Sequence, residues 1–225
     1  MPERYEYRWN LAYRVDHWAR FAALAVLTLT GFYIHWPFSL TGPSAPVPYE
    51  PHAWPVMAWM RFWHFVAGYV LVTGLVVRIY LAFNSRFDAD WRDFGLWRNI
   101  RGVPGIVKYY LFLKPNHPPY RRYNPLQALT YLFWVLLIAV QALTGFALYE
   151  GTVFGIWPAP DTFLWVRHSL GGESEVRLVH HLGMWVFLIT VGVHVYMAAM
   201  TAWTQRDHSF RAMFTGHALK QGAHE

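Results

Sequence analysis

The stretch that decides the fold runs from Leu178 to Tyr196, LVHHLGMWVFLITVGVHVY, inside an apolar run that continues to about Trp203. It is long and apolar enough to cross a bilayer. It also carries histidines. A neutral imidazole in lipid still has two ring nitrogens to satisfy, so each one marks a functional site to be tested. His180 and His194 are 14 residues apart. That is about four helical turns, so both rings leave the same face, roughly 21 Å apart along the axis. His181 points to nearly the opposite side from His194. Two ring nitrogens at two depths suit two stacked haems better than one metal ion, which cannot be reached from both.

Composition supports a membrane reading. The 225 residues are 55% hydrophobic, 19% aromatic and 14% charged. That charge fraction is low for a soluble domain, and abundant Trp and Tyr fit interfacial belts. Cysteine is absent. This excludes Cys-ligated iron–sulfur clusters, covalent haem through C-x-x-C-H, thiolate zinc sites and disulfides. A redox cofactor must be held by His or Met, or without ligation. The net charge is +6, but the basic residues sit between apolar runs and form no nucleic-acid stripe.

Four apolar runs predict helices over about 17–36, 56–83, 126–149 and 178–203. Arg4, Arg8 and Arg14 precede the first run and no clear A-x-A site follows it, so it reads as a retained helix and not a signal peptide. Residues 37–55 form a Pro- and Gly-rich loop without Lys or Arg, and residues 150–177 form a loop with Glu150, Asp161, Glu173 and Glu175. Basic residues gather in the N-terminus, in residues 84–125 and in the tail with Arg206, Arg211 and Lys220. The positive-inside rule then puts both termini in the cytoplasm. Trp91 to Leu113 has the composition of an interfacial amphipathic helix, with Gly102, Pro104 and Gly105 expected to break it. No internal repeat or low-complexity segment is visible. The expected fold is one all-α integral membrane domain over residues 1–225, a four-transmembrane-helix up-down bundle with haems between the helices.

This topology sorts the histidines. His64 lies early in the second run and meets His180 in an outer layer; His17 opens the first run and meets His194 in an inner one. The 14-residue step recurs: His17 plus 14 is Gly31, and His64 plus 14 is Arg78. The outer layer then holds Gly31, His64 and His180, and the inner layer His17, Arg78 and His194. A glycine beside a macrocycle allows close approach to the backbone. An intramembrane arginine needs an anion, which a haem propionate would supply. Arg61, near His64, and Arg177, near His180, are further propionate candidates. Bis-imidazole ligation favours electron transfer, because both axial positions are filled. Other histidines, His35 among them, lie in loops or at helix ends, where a surface role is expected.

The chain also resembles a known family. Arg61 to Gly68 (RFWHFVAG), Arg78 to Phe83 (RIYLAF), Tyr110 to Leu113 (YLFL), Asn124-Pro125-Leu126, Leu143 to Tyr149 (LTGFALY), His180 to Trp185 (HHLGMW) and His194 to Ala198 (HVYMA) carry the likeness. Together they resemble the b-type cytochrome subunit of membrane-bound nickel–iron hydrogenases, with the gamma subunit of respiratory formate dehydrogenase a more distant relative. The resemblance implies a bacterial inner-membrane cytochrome with two b haems held by His17, His64, His180 and His194. It implies hydrogenase partners, the small subunit in direct contact and the large subunit beyond it, and quinone as electron acceptor. The alternative is the same cytochrome serving a formate dehydrogenase or thiosulfate reductase. The resemblance puts quinone near the inner haem, with Asn124 and Gln127 as polar candidates, although Asn124-Pro125 also reads as a plain helix start. One departure is Asp16, where the family has an apolar aromatic. It reads either as a partner of His17 or as a solvated carboxylate.

Overall fold

The computed structural model describes residues 5–37, 56–85, 90–111, 113–114, 118, 123–205 and 209–219. The loop at 38–55 and the charged positions Arg4, Arg206 and Lys220 lie outside the described residues. Four long helices dominate: α1 (Leu11–His35), α2 (Val56–Asn84), α4 (Pro125–Ala147) and α7 (Glu173–Gln205). Of these, α2, α4 and residues Glu173–Met200 of α7 are long and apolar enough to cross a membrane. The expected first span, about 17–36, falls on α1 and its C-cap Trp36; this 25-residue helix carries Arg14, Asp16 and Arg20 in its first half.

Local chemistry sets where three of the long helices begin. Asn10 caps α1 by accepting from the Tyr13 amide at 2.9 Å. Asn124 and Gln127 form a reciprocal capping box at the start of α4, with Pro125 at its first position. The fourth helix starts five residues earlier than the apolar run predicts, at Glu173 rather than about 178. Gly171 and Gly172 adopt positive φ of 102° and 140° and end the short helix α6 (Leu164–Leu170), releasing the chain for α7. Glu173 and Glu175 then face the helix N-terminus, where negative charge is favoured.

Residues 150–177 are not a plain loop. They form a hairpin, β2 (Thr152–Val153) with β3 (Trp157–Pro158), then α5 (Ala159–Thr162) and α6. Arg167 holds this segment to α4 by donating to the Ala147 carbonyl at 2.6 Å and pairing with Glu150 at 3.0 Å. A second correction concerns residues 91–113. After a short 3-10 turn at Trp91–Phe94, helix α3 runs unbroken from Leu96 to Tyr110, through Gly102, Pro104 and Gly105. Pro104 lies on the exposed side, where a missing helix bond is least costly.

The long helices alternate in direction. At one level Gly31 of α1 meets His64 of α2, and Gly145 of α4 meets His180 of α7. At the other, Tyr13 of α1 meets Arg78 of α2, and Tyr131 of α4 meets His194 of α7. Between the levels Ala23, Ala67, Leu71, Leu137, Ile138 and Phe187 form one buried apolar cluster, and Ala147, Val166 and Val176 form a second where α6 packs on α4 and α7. Strand β1 (Tyr5–Tyr7) pairs antiparallel with β4 (His217–Leu219), so both ends of the described chain meet at the Tyr13–Arg78 level. Arg14 donates to the Phe214 carbonyl of α8 (Ser209–Thr215) and ties the same end together.

Candidate functional site: two histidine layers

The upper layer is built from two copies of one device. Thr30 donates its hydroxyl proton to the Val26 carbonyl one turn back, at 2.6 Å. Its oxygen lies 2.9 Å from His64 Nδ1. Thr144 does the same with the Val140 carbonyl at 2.7 Å, and its oxygen lies 2.9 Å from His180 Nδ1. A hydroxyl has one proton. With that proton on the carbonyl, each threonine accepts from Nδ1–H. The Leu27 and Gln141 carbonyls lie 3.3 Å from the same two hydroxyls, a second acceptor within the preceding turn. Both networks assign the proton to Nδ1 and leave Nε2 as a lone-pair donor, the form a metal needs.

The residue after each threonine is glycine, and the reason is steric. A Cβ on Gly31 would stand 3.3 Å from His64 Cε1, and one on Gly145 would stand 3.2 Å from His180 Cε1. The two rings are 6.3 Å apart between centroids, inclined at 61°. Gln141 donates to the His180 carbonyl at 2.9 Å and lies against Gly183, where a Cβ would displace its amide. His181 turns away, as helical phase requires. Its ring stacks on His35 at 4.0 Å, and its Nε2 accepts from Trp185 at 3.2 Å. His35 is exposed at the end of α1, as expected, and this stacking also engages it with α7.

Thr30, Thr144 and Gly145 were not singled out from the sequence. Their signal is the tetrapeptide Leu-Thr-Gly-Phe, which occurs at 29–32 and again at 143–146. It is an internal repeat after all, only four residues long.

The lower layer is less symmetrical. His17, one turn after Tyr13 in α1, and His194, against Tyr131 of α4, lie at this level. His17 packs edge-on to Trp18, and His194 edge-on to Trp134 at 5.2 Å. The Nδ1 of His17 is buried and has no hydrogen-bond partner among the described residues. Asp16 is neither solvated nor committed to His17. It is buried and paired with Arg20 at 2.5 Å. Gly74 of α2 makes room for that pair, since a Cβ there would lie 2.7 Å from Arg20 Cγ.

Arg78 lies at this level, and the chain itself supplies an anion for it. Asp90, 1% exposed, receives Arg78 at 2.6 and 3.3 Å and Tyr123 at 2.8 Å. Losing one partner of such a buried pair costs roughly 3–5 kcal/mol, because the other charge stays behind. Arg61 is exposed on α2, and Arg177 pairs with Glu173 on the exposed start of α7. Asn124 is buried while Gln127 is exposed, and their side-chain oxygens serve the α4 cap at 2.9 and 3.1 Å.

Comparison with known proteins adds to this geometry. The family described as prokaryotic cytochrome b561 matches residues 8–216. The chain is similar to a probable Ni/Fe-hydrogenase B-type cytochrome subunit of Azotobacter chroococcum mcd 1, at 33% identity over 93% of this chain and 87% of that one. It is similar to a protein of the same description from Cupriavidus necator, at 34% identity over 94% and 86% of the two chains. A probable Ni/Fe-hydrogenase 1 B-type cytochrome subunit of Escherichia coli K12 is 31% identical over 91% and 86%.

Proposed function

Because this chain belongs to the prokaryotic cytochrome b561 family, we propose that its two histidine layers hold two b haems and carry electrons from a membrane-bound nickel–iron hydrogenase to quinone. The observation that carries this reading is the His64–His180 pair. Its rings stand 6.3 Å apart between centroids and are inclined at 61°, close enough for both to serve one metal group. His64 and His180 would hold the group from both sides and leave oxygen no open position, and a haem there would supply one-electron transfer.

The chain's own residues do the rest. Thr30 and Thr144 hold the rings in the ligating tautomer. Gly31 and Gly145 keep the backbone clear of the rings. His17 and His194 form the second ligand pair, and the unpartnered His17 nitrogen marks a polar group still to be satisfied in that layer. Arg61 and Arg177 stand at the upper level for propionates; Arg78 would meet a propionate as a second anion beside Asp90.

Four spans follow if α1 crosses as well. Its 25 residues reach about 37 Å at 1.5 Å each, against a hydrocarbon core of about 30 Å. Its Asp16 and Arg20 neutralise each other. The end with the termini also carries Arg92, Arg98, Arg101 and Lys108, which supports a cytoplasmic position. Quinone is placed at this end. Tyr123, next to Asn124, contacts Tyr131, which in turn contacts His194. The amide nitrogens of Asn124 and Gln127, which the capping box does not use, are the proposed donors to a quinone carbonyl. The hydrogenase small subunit then docks at the opposite end, with the large subunit beyond it. This assignment takes its support from the descriptions of the relatives.

Complex purified from its native membrane is expected to give two b haems per chain by the pyridine haemochrome assay. One haem, none, or a c-type spectrum would overturn the reading. A finer test addresses the threonines. Thr144→Val keeps the shape and removes the acceptor for His180 Nδ1. Loss of such a supporting bond typically weakens metal-group binding about 10–100-fold. Haem transfer to an apo-globin acceptor should speed up correspondingly for one haem; an unchanged rate would show that Thr144 does not support the ligand.

A further inference from the structure

Outside the histidine layers, the largest unassigned feature is helix α3. At about 100° per residue its side chains sort into three strips. Asn99, Gly102 and Ile106 form the strip that faces the protein. Asn99 and Ile106 are buried, and a Cβ on Gly102 would lie 2.5 Å from Pro125 Cγ at the start of α4. Leu96, Ile100 and Val107, continued by Leu111 just past the helix end, form a second strip, all exposed. Trp97, 73% exposed, stands at its edge. Beyond Trp97 come the exposed Lys108 and Arg101. Arg98, next in order, is tied back to the Arg92 carbonyl at 2.7 Å. The helix contains no Asp or Glu.

An exposed apolar strip bordered by an aromatic and then by cations matches the layering of a bilayer surface: acyl boundary, interface, phosphates. The position agrees, because α3 joins the end of α2 to the start of α4 and so lies at a rim of the bundle. We propose that α3 is a docking surface for anionic phospholipid, with Leu96, Ile100, Val107 and Leu111 in the acyl boundary and Arg101 and Lys108 on lipid phosphates. The proposal rests on the bundle crossing a membrane, and on neither the haem count nor the quinone position. Because α3 packs through Gly102 onto the start of α4, bound lipid braces the helix that carries Asn124 and Gln127.

The test uses whole complex in nanodiscs of phosphatidylcholine mixed with phosphatidylglycerol, with one lipid or the other brominated. Subtracting the fluorescence of a Trp97→Phe complex isolates Trp97. Trp97 is expected to be quenched by both brominated lipids, and more strongly by phosphatidylglycerol. The double variant Arg101→Glu/Lys108→Glu should lose that preference while quenching by phosphatidylcholine persists. Arg101→Lys/Lys108→Arg should keep it, and added inorganic phosphate should leave it unchanged. Equal quenching of native complex by the two lipids would overturn the headgroup assignment. No quenching by either, the result expected if a soluble partner covers α3, would overturn the docking surface altogether. Haem spectra recorded on the same samples report the haem reading separately.

Discussion

Replacing His180 with alanine is expected to take the haem count of the purified complex from two to one, while His181→Ala leaves it at two. The two residues are adjacent and chemically identical, so only geometry separates them. His180 faces His64 at 6.3 Å, with its Nδ1 on Thr144 and its Cε1 against Gly145. His181 points to the other side of α7, stacks on His35 and accepts from Trp185. Losing His180 removes one of the two nitrogens in its layer. It also leaves the Thr144 oxygen without its ring partner. Losing His181 removes a stacking contact and one hydrogen bond at a half-exposed position, a change expected to cost about 1 kcal/mol of stability and no cofactor. Pyridine haemochrome counts on the two variants decide the matter, with imidazole added to the His180→Ala sample as a rescue. If His181→Ala loses a haem and His180→Ala does not, the orientation of the start of α7 is wrong and the upper layer must be redrawn.

How much of this was legible in the sequence depends on the range of the interaction. The layers follow from the 14-residue step, because helix geometry converts that spacing into a common face. The same step put Gly31 in the upper layer, and Gly31 indeed stands against His64. Thr30 and Thr144 escaped notice because a helical threonine ordinarily bonds its own preceding turn, which these two also do. Only the repeated Leu-Thr-Gly-Phe tetrapeptide distinguishes them. The partner of Arg78 was out of reach for another reason. Asp90 returns to it through a connection whose path no periodicity sets, and the acid comes from outside the long helices. For α3, the penalties for Gly and Pro were taken at full weight. In the fold, Gly102 is a packing notch against Pro125, and Pro104 sits on the exposed side.

His194→Ala is expected to abolish hydrogen-to-quinone turnover in reconstituted complex while hydrogen still reduces the remaining haem. The reasoning runs from topology. The upper layer lies toward the end that carries Glu173 and Glu175, opposite the termini. In the proposed orientation that end faces outward, toward a hydrogenase, so electrons enter at the His64–His180 layer. The lower layer, with His17 and His194, lies at the end where Asn124, Gln127 and the basic residues gather, so in the same proposal electrons leave there for quinone. Between the layers stands apolar packing from Leu71, Leu137 and Phe187. Losing His194 takes a proposed ligand from the proposed exit layer only. It leaves Thr30, Thr144, His64 and His180 untouched, so the entry layer should keep its haem and its reducibility. Electrons moving inward while hydrogen's protons are released outside would charge the membrane, storing about 2.3 kcal/mol per charge per 100 mV. His194→Ala should therefore also lose the membrane potential that hydrogen oxidation generates in sealed vesicles. Wild-type quinone turnover in that variant would move the quinone site to the His64–His180 end, and the inward path would have to be abandoned.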